Sequence, residues 1–156
     1  MTELIETTRI HAPISICFDL ARSIEVHLLG TTRSEERTVA EQGSVTSGLM
    51  SLGDRVTWSA RHFGIRQRLT SQITEFDPPH AFQDTMVSGA FAFMQHDHFF
   101  RELPNGATVM RDHFRYAAPF PILGAIAERL VLDRYMRAFL RERNAILKEV
   151  AESIAA

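Results

Sequence analysis

The sequence predicts an α+β domain in which a curved antiparallel β-sheet of about six or seven strands wraps around one long C-terminal helix. Three observations predict this architecture. Patterns that alternate between apolar and polar residues follow one another between residues 55 and 118, as in consecutive strands. A strand pattern and short helical patterns precede them, and a long helical pattern follows them. Consecutive strands followed by a helix are typical of α+β proteins.

The composition fits one globular domain spanning residues 1–156. Of these residues, 45% are hydrophobic and 23% are charged, which supplies enough apolar side chains for a core. The formal net charge of −2 excludes a general attraction to nucleic acid or to an anionic membrane. No apolar run reaches the roughly 18 residues of a transmembrane helix, and the first residues lack the pattern of a secretory leader. We therefore expect a cytoplasmic protein with no nucleic-acid partner and no integral membrane association.

The N-terminal part predicts one strand followed by short helices. Residues 3–11 alternate as in a strand, and Ala12-Pro13 ends it because proline cannot continue a central ladder. A helix then begins, and its apolar residues recur at helical spacing: Ile14, Cys17, Phe18 and Ala21. Cys17 is the only cysteine, which excludes an internal disulfide bond and predicts buried packing rather than a reactive thiol. Residues 23–37 predict one or two short helices, with a stop near Leu28-Leu29-Gly30.

The middle of the chain predicts a series of strands. Residues 38–54 contain three glycines and predict a short, mobile strand pair. Residues 55–63 and 67–76 each alternate as strands, Gly64 permits the bend between them, and residues 77–80 predict a turn before a further strand. The inner faces of these three strands carry Val56, Trp58, Ala60 and His62, then Leu69, Ser71 and Ile73, then Phe82, Asp84 and Met86.

Residues 93–118 predict a long β-hairpin around the turn Leu103-Pro104-Asn105-Gly106-Ala107. Gly106 is expected in the left-handed conformation that closes a type I turn with a bulge. If Leu103 pairs with Ala107, the facing pairs are Phe100 with Met110, His98 with Asp112, His96 with Phe114, and Met94 with Tyr116. Because side chains alternate, all of these lie on one face. Two histidines and an aspartate are therefore predicted to point into an apolar interior.

Residues 119–153 predict a helix roughly 50 Å long at about 1.5 Å per residue. Its apolar residues are Leu123, Ile126, Leu130, Leu132, Met136, Phe139, Leu147 and Val150. The phase shift between Leu130 and Leu132 predicts a bend or a loose first segment. Four arginines are expected on a solvated helix face: Arg134, Arg137, Arg141 and Arg143.

Several motifs carry a resemblance to a known superfamily. They are Gly53-Asp54-Arg55-Val56-Thr57-Trp58, Ala60-Arg61-His62-Phe63-Gly64, Phe82-Gln83-Asp84-Thr85-Met86, His96-Asp97-His98-Phe99-Phe100 and Pro119-Phe120-Pro121-Ile122-Leu123-Gly124. The layout resembles the helix-grip fold of the SRPBCC superfamily, which includes START-like proteins, polyketide cyclases and relatives of the birch-pollen allergen. More narrowly, the motifs resemble its bacterial cell-division-inhibitor-like branch. The resemblance spans nearly the whole chain.

The resemblance implies a cavity between sheet and C-terminal helix that binds a hydrophobic small molecule such as a lipid, a polyketide or an aromatic compound. The inner face supports this through adaptable apolar walls with a few polar contacts. The expected ligand-binding residues are Trp58, His62, Phe82, Asp84, Met86, Met94, His96, His98, Phe100, Met110, Asp112, Phe114 and Tyr116. The alternative is that the histidines and aspartates form a buried, mutually satisfied network that stabilises strand register.

Two kinds of chemistry compete with simple binding. His98 and Asp112 could act as general base and orienting acid in a cyclase or dehydrase reaction on a polyketide-like substrate. His96 and His98 project on the same side of one strand, about 6.8 Å apart, and a carboxylate opposite them could complete a two-histidine, one-carboxylate metal site. His-x-His is frequent in strands without a metal. We therefore expect no metal and no cofactor.

A third possibility is an interaction module. Leu49, Met50 and Leu52 could form an apolar patch for a partner protein or a second subunit, so either a monomer or a homodimer is compatible with the sequence. Glu25 and His27, on the early helices, could approach the mouth of the cavity, or they could be exposed polar residues of those helices.

Overall fold

The strands form one antiparallel sheet of seven strands. The computed structural model describes residues 1–31, 34–119 and 125–156. Along the chain the elements are β1 (Thr2–Ile10), α1 (Ile14–Ala21), α2 (Ile24–Leu29), β2 (Arg37–Thr38), β3 (Arg55–His62), β4 (Ile65–Asp77), β5 (Ala81–Gly89), β6 (Phe93–Glu102), β7 (Thr108–Ala117) and α3 (Ala125–Ala155). The strand order is β1-β7-β6-β5-β4-β3-β2. The sheet curves around α3, which confirms the predicted fold class.

The central hairpin has the predicted register. Leu103 donates its backbone N–H to the carbonyl of Ala107 at 2.7 Å, and Gly106 has a φ of +84°. The positive φ favours glycine there because it has no Cβ. The facing pairs of β6 and β7 are His98 with Asp112, His96 with Phe114, Met94 with Tyr116 and Phe100 with Met110. Both histidines are buried and contact Asp112, which bonds to Asn144 of α3, so their predicted inward direction is confirmed.

The two short helices begin and end close to where the sequence predicts. Pro13 precedes α1, whose residues Cys17, Phe18 and Ala21 are buried. The Ser23 hydroxyl accepts the backbone N–H of Val26 at 3.3 Å and so caps α2. After α2, Gly30 lies so close to α3 that a Cβ on it would be 3.0 Å from the Cα of Arg143. A glycine at this position lets the end of α2 approach α3.

The prediction of a strand pair in residues 38–54 is wrong. Within this segment, strand pairing is confined to Thr38, at the end of the two-residue strand β2, and to one isolated bridge at Leu49. Other backbone groups of the segment bond to neighbouring elements instead, since Val39 donates to Thr57 at 2.9 Å and Met50 to Arg22 at 2.9 Å. Turns at the glycines interrupt any longer strand.

The C-terminal helix α3 runs without interruption from Ala125 to Ala155. Leu130, on which the predicted phase shift depends, is 62% exposed, so it lies off the buried stripe and no break of the helix is needed to explain it. From residue 129 onwards, where the burial of the side chains is described, the buried residues of α3 are Met136, Leu140, Asn144, Leu147 and Ala151. The predicted helix start and most of the Pro119–Gly124 motif, including Leu123, lie outside the described residues. Within those residues, no helix combines the length and apolarity that a membrane span requires.

We expect Phe18→Ala to lower the free energy of unfolding by about 3–5 kcal/mol. Phe18 is 1% exposed, and its ring centroid lies 5.5 Å from those of Phe76, Phe82 and Phe100, so truncation leaves a cavity in the core. Urea denaturation at equilibrium measures the loss. The matched control is Phe99→Ala at a position that is 45% exposed, where a change within about 0.5 kcal/mol is expected. Equal losses in the two variants would contradict the assigned core.

Candidate functional site

A cavity of about 250 Å³ lies between the sheet and α3. Its apolar wall on the sheet side includes Trp58, Ala60, Leu69, Met94 and Phe114, and on the helix side Leu132, Tyr135, Met136 and Phe139. Phe63, Ala90, Phe91 and Pro119 add to this wall, while the polar lining residues are Glu36, His62, Gln67, Arg68, Asp84, His96 and Arg143. A mainly apolar wall with a few polar groups is typical of small-molecule sites.

The predicted ligand-binding residues divide into two groups. Those in the cavity wall are Trp58, His62, Asp84, Met94, His96 and Phe114. Those outside it are Phe82, Met86, His98, Phe100, Met110, Asp112 and Tyr116. For Phe82 and Phe100 the reason is α1, because Phe18 packs against both and fills that part of the inner face. Tyr116 and Met86 instead pack in a second core cluster with Met136 and Leu140 of α3. The sheet therefore borders a solid core at one end and a cavity at the other.

Asp112 is the centre of a buried hydrogen-bond network. Its Oδ1 accepts from Nε2 of His96 at 2.8 Å and lies 3.2 Å from Nδ1 of His98, while Oδ2 accepts from Nδ2 of Asn144 on α3 at 2.6 Å. Nε2 of His98 continues the chain to Oδ2 of Asp84 at 3.0 Å. The network thus runs from the core to the cavity wall. It matches the alternative stated from the sequence, in which the histidines and aspartates form a mutually satisfied buried network.

The charges of this network follow from its contacts. Burial raises the pKa of a carboxyl group, but the hydrogen bonds from His96 and His98 outweigh burial and hold the pKa of Asp112 well below its ordinary value. Burial also opposes charge on His98, yet the hydrogen bonds to Asp112 and Asp84 raise its pKa. Burial and the neighbouring His98 lower the pKa of His96. Of the two imidazoles, His98 is therefore the one whose protonated form the carboxylates favour.

Arg143 is a cavity residue that the sequence prediction placed on a solvated helix face. That prediction is wrong for Arg143, which lines the cavity and is half-buried, whereas Arg137 and Arg141 pair with Glu6 of β1. Its guanidinium makes no hydrogen bond or ion pair with any residue of 1–31, 34–119 or 125–156. The sequence did contain a signal for the inward position of Arg143, because this residue follows Phe139 by four positions and so shares its helix face.

The rim of the cavity joins the β3–β4 turn to α3. Nδ1 of His62 lies 2.5 Å from the hydroxyl of Tyr135, and the ring of Phe63 lies 4.6 Å from that of Tyr135. Phe63 has a φ of +52° and is followed by Gly64 at +76°. A left-handed phenylalanine is unusual, and here it carries the ring over the helix. Tyr135 was not predicted, although it also lies four positions before Phe139 on the same face.

His27 supports one wall of the cavity from behind. Its ring stacks on that of Trp58 at 4.0 Å, and its Nε2 lies 2.5 Å from Oε1 of Glu36, which lines the cavity. Glu25 instead accepts the backbone N–H of Gly48 at 2.9 Å and so stabilises the neighbouring loop. Of the two residues predicted near the mouth, His27 therefore reaches the cavity wall and Glu25 does not.

The apolar patch predicted for protein contacts is smaller than the sequence indicates. Leu49 and Leu52 are exposed, but Met50 is 8% exposed and belongs to the main core cluster. The backbone N–H of Met50 bonds to Arg22, which turns its side chain inward. Two separate leucines remain at the surface.

Asp84, His96 and His98 are the described residues that could hold a metal ion, because one donor atom of each lies within 4.8 Å of the others. Asp84 faces His96 across the β5–β6 pair. The sequence suggested the carboxylate opposite the histidines as the third ligand. That residue, Asp112, is directly opposite His98 in the hairpin, but it lies behind both imidazole rings.

The fold is that of several solved structures. The chain is similar to TTHA0849 from Thermus thermophilus, at 20% identity and a TM-score of 0.77 over 99% of this chain and 100% of that one. It is also similar to a START superfamily protein from Mycobacterium smegmatis, at 10% identity and a TM-score of 0.70 over 97% of this chain and 98% of that one. A third similar structure is the ginseng major latex-like protein 151 from Panax ginseng, at 13% identity and a TM-score of 0.64 over 96% of this chain and 97% of that one.

These structures establish the helix-grip fold that the resemblance implied. The identities are too low to carry more than the fold, because one fold serves many functions. No protein-family model matches the sequence, and no curated protein is significantly similar to it. The function therefore has to be inferred from the cavity itself.

We expect the stabilisation provided by His27 to fall as the pH decreases. Burial and the nearby Arg143 lower the pKa of His27 below its ordinary value of 6.5 and outweigh the opposing effects of Glu36 and Asp84. The unfolded chain then binds a proton more readily than the folded one, so stability is lost below about pH 6.5.

The measurement is the difference in unfolding free energy between the wild type and His27→Gln, by urea denaturation at about pH 5.5 and about pH 7.5. The wild-type advantage should be smaller at the lower pH. His80→Gln, at an exposed position, controls for the loss of an imidazole. A difference in unfolding free energy in favour of the wild type that increases at the lower pH would contradict this prediction, because it would show that the folded protein holds His27 protonated.

Proposed function

We propose that this protein binds a small, largely apolar molecule with one polar acceptor group in the cavity between the sheet and α3. The observation that carries the proposal is the guanidinium of Arg143, which faces an otherwise mainly apolar cavity without a hydrogen-bond partner among the described residues. Arg143 is half-buried and interacts electrostatically with the carboxylates of Glu36 and Asp84, but it makes no hydrogen bond to either, so its N–H donors are available to a ligand. A ligand carboxylate, phenolate or carbonyl oxygen would complete the hydrogen bonding of this group, because arginine only donates.

The volume of the cavity limits the size of the ligand. About 250 Å³ is slightly below the roughly 300–1,000 Å³ of typical ligand pockets and equals the space of about eight water molecules at ~30 Å³ each. This favours a one- or two-ring aromatic compound over a long-chain lipid. The aromatic side chains of Trp58, Phe91 and Phe114 in the wall support the same choice through ring contacts.

The wider context of the proposal comes from the sequence. We propose a single ligand-binding domain of residues 1–156 in the bacterial cytoplasm, related to the cell-division-inhibitor-like branch and acting as a monomer or homodimer. The quoted motifs support the branch, and the lone buried Cys17 is compatible with a reducing compartment. The geometry does not favour cyclase or dehydrase chemistry at His98 and Asp112, because neither residue borders the cavity in which a substrate would lie.

We expect 2-naphthoate to quench the fluorescence of Trp58 saturably, since Trp58 is the only tryptophan and lines the cavity. Arg143→Met should weaken naphthoate binding about tenfold or more, because a hydrogen bond to a charged group contributes about 1.5–3 kcal/mol. The uncharged 2-methylnaphthalene should bind both proteins equally. Arg141→Met, on the exposed part of the same helix, is the matched control. No saturable quenching, or equal naphthoate affinity in the wild type and Arg143→Met, would contradict the proposal.

Filling the cavity with a larger side chain should weaken the binding of both naphthalene compounds. Ala60 lies in the wall, so Ala60→Leu places three further carbon atoms in the ligand space, and we expect at least a tenfold loss of affinity at about 1.4 kcal/mol per tenfold change. Ala81→Leu, a half-buried site outside the wall, is the control and should bind as the wild type does. Circular dichroism checks that both variants fold. Undiminished binding in folded Ala60→Leu would place the ligand elsewhere.

A further inference from the structure

We propose that Asp84, His96 and His98 form a binding site for one divalent transition-metal ion in the wall of the cavity. One donor atom of each residue lies within 4.8 Å of the others. Two imidazoles and one carboxylate form a donor set that suits Zn²⁺ or Fe²⁺. This inference is independent of the proposed binding of an apolar ligand.

The strand register brings the three side chains together. His96 and His98 are two positions apart on β6 and therefore share a face, and Asp84 of β5 is paired directly with His96. Oδ2 of Asp84 lies 3.0 Å from Nε2 of His98. Two donors that bind Zn²⁺ at about 2.1 Å in tetrahedral geometry are separated by about 3.4 Å, so this pair would have to move apart by a few tenths of an ångström to hold the ion.

Asp112 orients both imidazoles from behind. It contacts Nε2 of His96 and Nδ1 of His98, which leaves Nδ1 of His96 and Nε2 of His98 as the nitrogens for a metal. Histidine ligands in metal sites commonly donate their second N–H to a carboxylate, which determines the tautomer and the ring direction. Asn144 holds the other oxygen of Asp112 at 2.6 Å. The support that such a site requires is therefore built into the core.

The charges around the three residues also suit a cation. Asp84 and Asp112 bring two carboxylates into the interior, and Asp112 is 1% exposed. Hydrogen bonds from His96, His98 and Asn144 satisfy these carboxylates in the absence of an ion. An ion bound at the imidazoles would place positive charge next to both carboxylates and would displace any proton on Nε2 of His98. Arg143 on α3 also faces Asp84, and the carboxylate of Glu36 on the same side of the cavity offsets its charge.

The ion would keep open coordination positions on the side of the cavity. Asp84 and His96 line the cavity, whereas His98 lies behind them, stacked on Phe82 at 4.2 Å. Three protein ligands with an open position are typical of metal sites that bind a further molecule. The proposal departs from the sequence expectation of no metal because the sequence did not place Asp84 beside the histidines.

The test is titration of EDTA-treated protein with Zn²⁺ by calorimetry and with Co²⁺ by visible absorption. We expect saturable binding of one ion and the absorption bands of Co²⁺ with nitrogen ligands. Asp84→Asn and His96→Gln should each weaken binding about tenfold or more. His113→Gln is the matched control, because His113 lies on the outer face of the same hairpin, 3.9 Å from Asp97, and should leave binding unchanged.

Two outcomes would overturn the proposal. One is the absence of saturable heat and of Co²⁺ bands in the wild type. The other is metal binding that survives unchanged in Asp84→Asn and His96→Gln, which would locate the ion elsewhere; weakening in His113→Gln would then place it at the outer face. If His96→Gln does not fold, Asp84→Asn decides the test, because Asp84 is half-buried at the cavity. Naphthoate quenching of Trp58 in Asp84→Asn reports separately on the apolar ligand.

Discussion

The buried carboxylate of Asp112 connects the central strands to the C-terminal helix. It contacts two histidines of β6 and an asparagine of α3, and through His98 it is linked to Asp84 of β5. Each of these groups would be costly to bury alone, but together they satisfy one another. The network requires the β5, β6 and β7 registers and the position of α3 to be correct at once. The cavity lies beside this network and depends on the same arrangement.

The inner face of the sheet serves two purposes because two different helices cover it. The side chain of Phe18 on α1 packs into a group of aromatic rings and makes that half solid. The other half is covered by α3, whose Tyr135, Phe139 and Arg143 line a cavity between the helix and the strands. Residues of similar type on the same strands therefore have different roles. Phe82 and Phe100 pack in the core, while Met94 and Phe114 border the cavity.

Polar residues are concentrated where the core meets the cavity. His96 and Asp84 belong both to the buried network and to the cavity wall. A polar group in this position is held rigidly on one side and is accessible on the other, which is the arrangement that oriented binding requires. Arg143 faces the same space from the helix and has no hydrogen-bond partner among the described residues. The structure thus combines an apolar volume with polar groups of both charges, an arrangement that suits an apolar ligand with a polar group and also a metal ion.

The sequence by itself determined the fold class, the hairpin register and the inward direction of His96, His98 and Asp112. These features follow from local rules, since strand alternation has a period of two residues and the turn at Gly106 specifies which residues face each other. Only the tertiary structure decided that Asp84 lies beside His98, that Arg143 leaves the solvated face, and which half of the sheet borders a cavity. Those outcomes depend on how α1 and α3 divide one apolar surface, and contacts between residues distant in sequence leave no periodic pattern in either segment.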